Sequence, residues 1–139
     1  MPDESTTPDL VEKVRMIFEA VSRQDWDRVV AFYVPDAVFD APALGQTFEG
    51  RAAIRALFVE WTDAYRDWDQ TLDEVRDLGN GVVLALTTQI GRPGGSSGVL
   101  SEREALVYEW ASGMITRITA YRDLDEAGIA AERLAEERG

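Results

Sequence analysis

The sequence predicts an α+β domain, with helices packed on one face of a curved, mostly antiparallel sheet. Three observations predict it. Apolar residues recur at helical spacing through the first half of the chain, and alternating runs dominate the second half. Gly79-Asn80-Gly81 and Ala111-Ser112-Gly113 join successive alternating runs as turns. Helices gathered early and hairpins late are the order of an α+β fold. At 139 residues the chain is read as one domain, 1–139, long enough to bury a core.

Residues 1–7 are polar and expected to fray. Thr7-Pro8 reads as a helix start, and Leu10, Val14, Ile17, Phe18 and Val21 carry one apolar stripe to about Ser22. Asp25 is placed to cap a second helix with Trp26, Val29, Val30 and Tyr33, ended by Pro35-Asp36. Residues 37–41 read as a short strand halted by Pro42, and 45–50 as a turn-rich connection. From Arg51 a third helix shows Ile54, Leu57, Phe58, Trp61 and Tyr65 on one face. Residues 68–78 form a weakly patterned, acid-rich strand, and 82–90 are the most β-like run. The glycine-serine stretch 91–98 is expected to be a flexible loop. Residues 125–138 read as a charged terminal helix anchored by Ile129 and Leu134.

The stretch from Val99 to Asp123 organises the rest. A three-residue loop, 111–113, would pair Trp110 with Met114, Tyr108 with Thr116, Leu106 with Ile118, Glu104 with Ala120 and Glu102 with Arg122. One face is then apolar at the turn and charged at the far end, as in a core, a pocket wall or both. The other face mixes Ala105, Val107, Thr119 and Tyr121 with Arg103, Glu109 and Arg117.

Composition excludes whole classes of function. Twenty-six acidic against fourteen basic residues give a net charge of −12. Nucleic acid and anionic membranes both need a basic footprint, so neither is an expected partner. No apolar run is long enough for a membrane span, and residues 1–30 lack a secretory pattern, so a cytoplasmic location is expected. The chain has no cysteine and no histidine. Thiolate nucleophiles, serine–histidine pairs and imidazole ligands are therefore ruled out. The acids of residues 63–77 match no coordination loop, so no metal and no cofactor are expected. Any chemistry must run on carboxylates, tyrosine, arginine, lysine or water.

Phe18-Glu19-Ala20 with Gln24-Asp25-Trp26-Asp27, then Phe32 through Phe39, resembles the opening of the nuclear transport factor 2-like superfamily, in its SnoaL-like, ketosteroid isomerase-like branch. Phe48-Glu49-Gly50-Arg51-Ala52-Ala53-Ile54 is similar to the turn and third helix that follow there. Gly113-Met114-Ile115 and Tyr121-Arg122-Asp123 are similar to its closing hairpin. The resemblance spans about residues 10–126. It implies a cone-shaped α+β barrel around one apolar pocket, and a homodimer formed through the outer sheet face.

The resemblance also says where catalytic groups would lie, and this chain lacks them. A ketosteroid isomerase would carry a tyrosine near Ile17, a general-base aspartate at Ala41 and a protonated acid near Leu106. Asp40 is one residue early, which reverses its face on a strand. Polyketide cyclases of this kind use a histidine, absent here, and an aspartate that falls near Ala120. The epoxide hydrolases' arginine and first aspartate would lie in residues 82–90, which offer only Thr87, Thr88 and Gln89.

The predicted pocket is lined by Ile17, Phe39, Ala41, Leu57 and Trp61 from the first half of the chain. Leu86, Thr88, Leu106, Tyr108, Ile118 and Arg122 come from the second. Most of these also serve as ordinary core. Tyr108 and Glu104 are the candidate polar groups, expected about 6–7 Å apart at Cα on one strand face. Three functions follow. The first is a small-molecule binding domain for an apolar or aromatic ligand. The second is a cyclase-, isomerase- or hydratase-like enzyme using Glu104 and Tyr108. The third is an interaction domain whose cavity is filled by its own side chains.

Overall fold

A computed structural model describes residues 9–95 and 98–139. Helix α1, Leu10–Ser22, starts at Asp9, whose carboxylate accepts from the Glu12 amide at 2.7 Å. The expected start at Thr7-Pro8 lies outside the described residues. Val14, Ile17, Phe18 and Val21 are buried along α1, as the stripe predicts. Helix α2, Trp26–Val30, is capped by Asp25 and is shorter than expected. Its expected last residue, Tyr33, opens strand β1, Tyr33–Ala41.

Residues 45–50, read as a connection, hold a further strand. A 3-10 turn, Pro42–Leu44, reverses the chain into β2, Gln46–Glu49, which pairs antiparallel with β1. Helix α3, Arg51–Asp63, follows, and Tyr65 begins β3, Tyr65–Gly79, instead of ending the helix. The register of β3 slips at three places against β4, Val82–Pro93. Each slip moves the buried side onto the next residue, so the half-buried positions run 65, then 68, 70 and 72, then 75, then 78. That is why the strand read as weakly patterned. Strand β4 extends through Pro93, into what was expected to be loop.

Strands β5, Leu100–Ala111, and β6, Met114–Tyr121, form the long hairpin. Its loop is two residues, with Ser112 and Gly113 both at positive φ, and Ala111 pairs with Met114. A bulge beyond Trp110–Ile115 adds a second one-residue shift, so Tyr108 faces Ile118 and Leu106 faces Ala120. Beyond the bulge the two shifts leave the side chains on their expected faces. Between turn and bulge only one applies, so Ile115 takes the place beside Trp110 in the core that Met114 was expected to hold. The two shifts together also carry Arg122 one pair further along, from opposite Glu102 towards Glu104.

The six strands form one open sheet, ordered β2-β1-β6-β5-β4-β3. Only β1 and β6 run parallel. Helices α1 to α3 pack on one face, where Val14, Ile17, Trp26, Ile54, Tyr108 and Ile118 belong to the main core.

The outer face has its own core. Helix α4, Leu124–Arg138, lays Ala127, Ala131 and Ala135 on Val82, Leu84, Leu86, Ala105 and Val107. Its buried stripe is alanine at every fourth residue, not Ile129, which is 59% exposed. Asn80 Nδ2 donates to the Ala135 carbonyl at 2.7 Å, and Arg138 Nη2 donates to the Trp110 carbonyl at 2.7 Å. Ala105 and Val107, expected to gain cover from a second subunit, are covered by this helix. No helix among the described residues is long and apolar enough to cross a membrane.

Candidate functional site: an aromatic cavity with one carboxylate

Between the inner sheet face and helices α1 to α3 lies a cavity of about 120 Å³. Its walls collect three of the four tryptophans, three of the four tyrosines and three of the five phenylalanines. The rings brace one another. Trp26 sits 5.4 Å from Phe58 and 6.5 Å from Trp68 between centroids, and Phe39 meets Phe58 edge-on at 5.9 Å.

The expected residues Ile17, Phe39, Ala41, Leu57 and Trp61 all line it. So do Leu106, Tyr108, Ile118 and Arg122. Leu86 and Thr88 do not. Leu86 packs under α4, and the Thr88 hydroxyl donates to the Asp73 carboxylate at 2.5 Å. The reason is physical: β4 is buried on both faces along Val82–Leu86, so apolar periodicity could not say which side faces inward. The inward set is Val83, Ala85, Thr87 and Gln89.

The polar groups on the sheet side come from five strands, β1, β3, β4, β5 and β6. Tyr33 from β1 and Tyr108 from β5 are 1% and 2% exposed, and both line the cavity. Among the described residues neither hydroxyl makes a hydrogen bond, and neither oxygen is sealed from the cavity space. Thr116, a candidate partner for Tyr108, donates instead to the Glu109 carbonyl. Burial raises both phenols well above their ordinary range, with Tyr108 adding to the rise at Tyr33 and Glu104 to that at Tyr108.

Glu104 is the carboxylate of the cavity. Its pKa is raised to about 7, by burial first and by Glu102 second, against the downward pull of Arg122 and the Gln70 amide. Gln70 Nε2 donates to Glu104 Oε1 at 3.4 Å and to the Thr87 hydroxyl at 3.1 Å. The Cα separation of Glu104 and Tyr108 is about 13 Å, twice the expected value, because they lie four residues apart at about 3.3 Å each. A ligand between them would rest on Leu106.

Sequence reasoning missed Tyr33, Gln70, Trp68 and Gln89. Gln89 holds the aromatic wall, since its Oε1 accepts from Trp61 Nε1 at 2.9 Å and from Trp68 Nε1 at 3.2 Å. Tyr33 was hidden by its assignment to a helix end, and Gln70 by the slipping register of β3. The only available signal was buried amide and hydroxyl chemistry on otherwise apolar runs.

Ile17, Ala41, Leu106 and Ala120, the positions where the resemblance would put catalytic groups, all face the cavity as apolar side chains. Asp40 faces away, ion-paired with Arg117 and accepting from the Thr47 hydroxyl at 2.8 Å. Among the described residues no three acidic side chains converge as a metal-binding group.

An open six-stranded sheet closed over by three helices, with one aromatic cavity, defines the cone fold of the nuclear transport factor 2-like proteins. The SnoaL-like domain model matches residues 14–118, and the chain belongs to that family. No curated protein matches the sequence. Among solved structures, a hypothetical protein with a ketosteroid isomerase-like fold from Catenulispora acidiphila DSM 44928, in complex with trimethylamine, superposes at TM-score 0.72. It is 16% identical over 86% of this chain and 91% of that one. TerC, co-crystallised with polyporic acid, gives TM-score 0.71 at 16% identity over 91% and 97% of the two chains. A putative polyketide cyclase from Xanthomonas campestris pv. campestris gives 0.65 at 25% identity over 86% and 93%.

Proposed function

We propose that this protein binds a small apolar or aromatic molecule in its cone cavity, with the ligand's polar end towards Glu104 and the hydroxyls of Tyr33 and Tyr108. The observation that carries the reading is an aromatic cavity onto which the hydroxyls of two buried tyrosines, Tyr33 and Tyr108, open without a protein partner among the described residues. A buried polar group left unpaired is costly, so a ligand that pairs with it gains affinity and orientation. The cavity is near the size of one that accepts benzene, about 150 Å³. Trimethylamine and polyporic acid in two structures of this fold are consistent with small molecules entering such cones. The open volume also weighs against a cavity filled by its own side chains.

One observation favours an enzymatic second reading. A carboxylate with a pKa of about 7 is half ionised near neutral pH and is matched to proton transfer in either direction. Glu104 would exchange the proton, and Tyr108 would donate to developing charge.

The test is a thermal-shift screen of small aromatic alcohols, ketones and amines against wild type, Tyr108→Phe and Glu104→Gln, with product analysis. Binding weakened about tenfold by either variant, with no compound consumed, is the result expected of a binding protein. A compound transformed by wild type alone would establish the enzyme. Affinities indifferent to both substitutions would remove these groups from the site.

A further inference from the structure

We infer that the cavity selects an organic ammonium ion with short apolar arms, a tertiary or quaternary amine, over its neutral isostere. The inference rests on the binding reading above and names its ligand class.

Two features of the cavity coincide in what they ask of a ligand. The first is its wall: Trp26, Trp68, Phe58 and Phe39 form a braced cluster, and Tyr33 and Tyr108 line the same cavity. Aromatic faces attract a cation held within about 6 Å, and most strongly where water is excluded. The second is its charge. Glu102 and Glu104 face the space together, against the single guanidinium of Arg122. Among the described residues Arg122 forms no ion pair within 4 Å with either glutamate. Two carboxyl groups against one guanidinium leave the acidic side of the cavity one group in excess. A compact ammonium ion neutralises it while its alkyl groups meet rings, whereas an anion would meet like charge at Glu102 and Glu104.

The same geometry makes binding depend on pH. The titratable groups on the cavity are Tyr33 from β1, Glu102, Glu104 and Tyr108 from β5, Tyr121 from β6, and Arg122 just beyond it. Helices α1 and α3 present only neutral side chains, and β3 and β4 present Trp68, Gln70 and Gln89. The tyrosines stay protonated near neutrality, since Tyr33, Tyr108 and Tyr121 are all shifted upward. Glu104 is therefore the group that changes charge around pH 7, and ammonium affinity rises as it ionises.

Choline and 3,3-dimethylbutan-1-ol form a suitable probe pair, alike in shape and differing in charge. Trp26, Trp61 and Trp68 supply the signal, because a ligand among them alters tryptophan fluorescence. At pH 8 choline is expected to bind at least tenfold tighter than the alcohol. The ratio should fall severalfold at pH 5.5, and Glu104→Gln should hold it low at both pH values. The wild-type pH profile stands even if the variant does not fold. Equal binding of the two probes at pH 8 would overturn the ammonium inference and leave the cavity reading intact. Silence from both probes, together with silence across the aromatic screen, would overturn both.

Discussion

Glu104 is where two effects oppose each other, and burial wins. Its carboxyl is pushed up to about 7 in the fold, against an ordinary value of 4.5. Between those values the folded chain holds a proton that the unfolded chain has released. The contribution of Glu104 to stability is therefore most favourable below about pH 4.5, falls as pH rises to about 7 and levels off above it. Glu104→Gln removes this loss. At pH 8 the variant should be more stable than wild type by about 1–3 kcal/mol, with the gap closing at pH 4. Denaturant melts at the two pH values measure it, and a difference independent of pH would contradict the burial of this charge. Glu104 and Tyr108 were legible in the sequence because alternation along one strand put them on the apolar face. Tyr33 was not, because residues 32–34 fit the end of a helix as well as the start of a strand.

The hairpins show what short-range sequence signals contain at the level of elements. Gly79-Asn80-Gly81 makes its turn with Asn80 and Gly81 both at positive φ. A Cβ on Gly81 would lie 2.6 Å from the Trp110 carbonyl oxygen, which is backbone and cannot step aside. Gly81→Ala should cost about 2–3 kcal/mol. Gly79→Ala, with open space around it, should cost only the strain of its φ, about 1 kcal/mol. Equal losses in thermal denaturation would show that Gly81 is not held by that contact. The turns were readable because glycine and asparagine report backbone conformation directly. The register was not, because the bulge in β6 depends on how β1 docks in parallel beside it, a contact between residues far apart in sequence. The inward face of β4 was unreadable for a related reason: α4 buries the outer face as well, and its alanines at positions 127, 131 and 135 carry little hydrophobic signal.

Across the whole molecule, the sheet divides two cores of different kinds. The outer one is packed by small residues of α4, and the inner one leaves a cavity ringed by aromatics. Removing residues 124–139 should expose Val82, Leu84, Leu86, Ala105 and Val107 as one apolar patch and drive self-association, visible by light scattering. A truncated chain that stays monomeric and equally stable would show that α4 does not complete the fold. The central claim is that the inner cavity is a ligand site, and filling it tests that most directly. Ala120 lines the cavity and pairs with Leu106 across the hairpin, so Ala120→Phe places a ring in the space while Glu104 and the tyrosines keep their identities. Tryptophan fluorescence titrations with the ligands found for wild type should then show at least a tenfold loss of affinity in a variant whose circular dichroism is unchanged. A folded Ala120→Phe protein that binds them as tightly as wild type would place the ligand elsewhere and contradict the account.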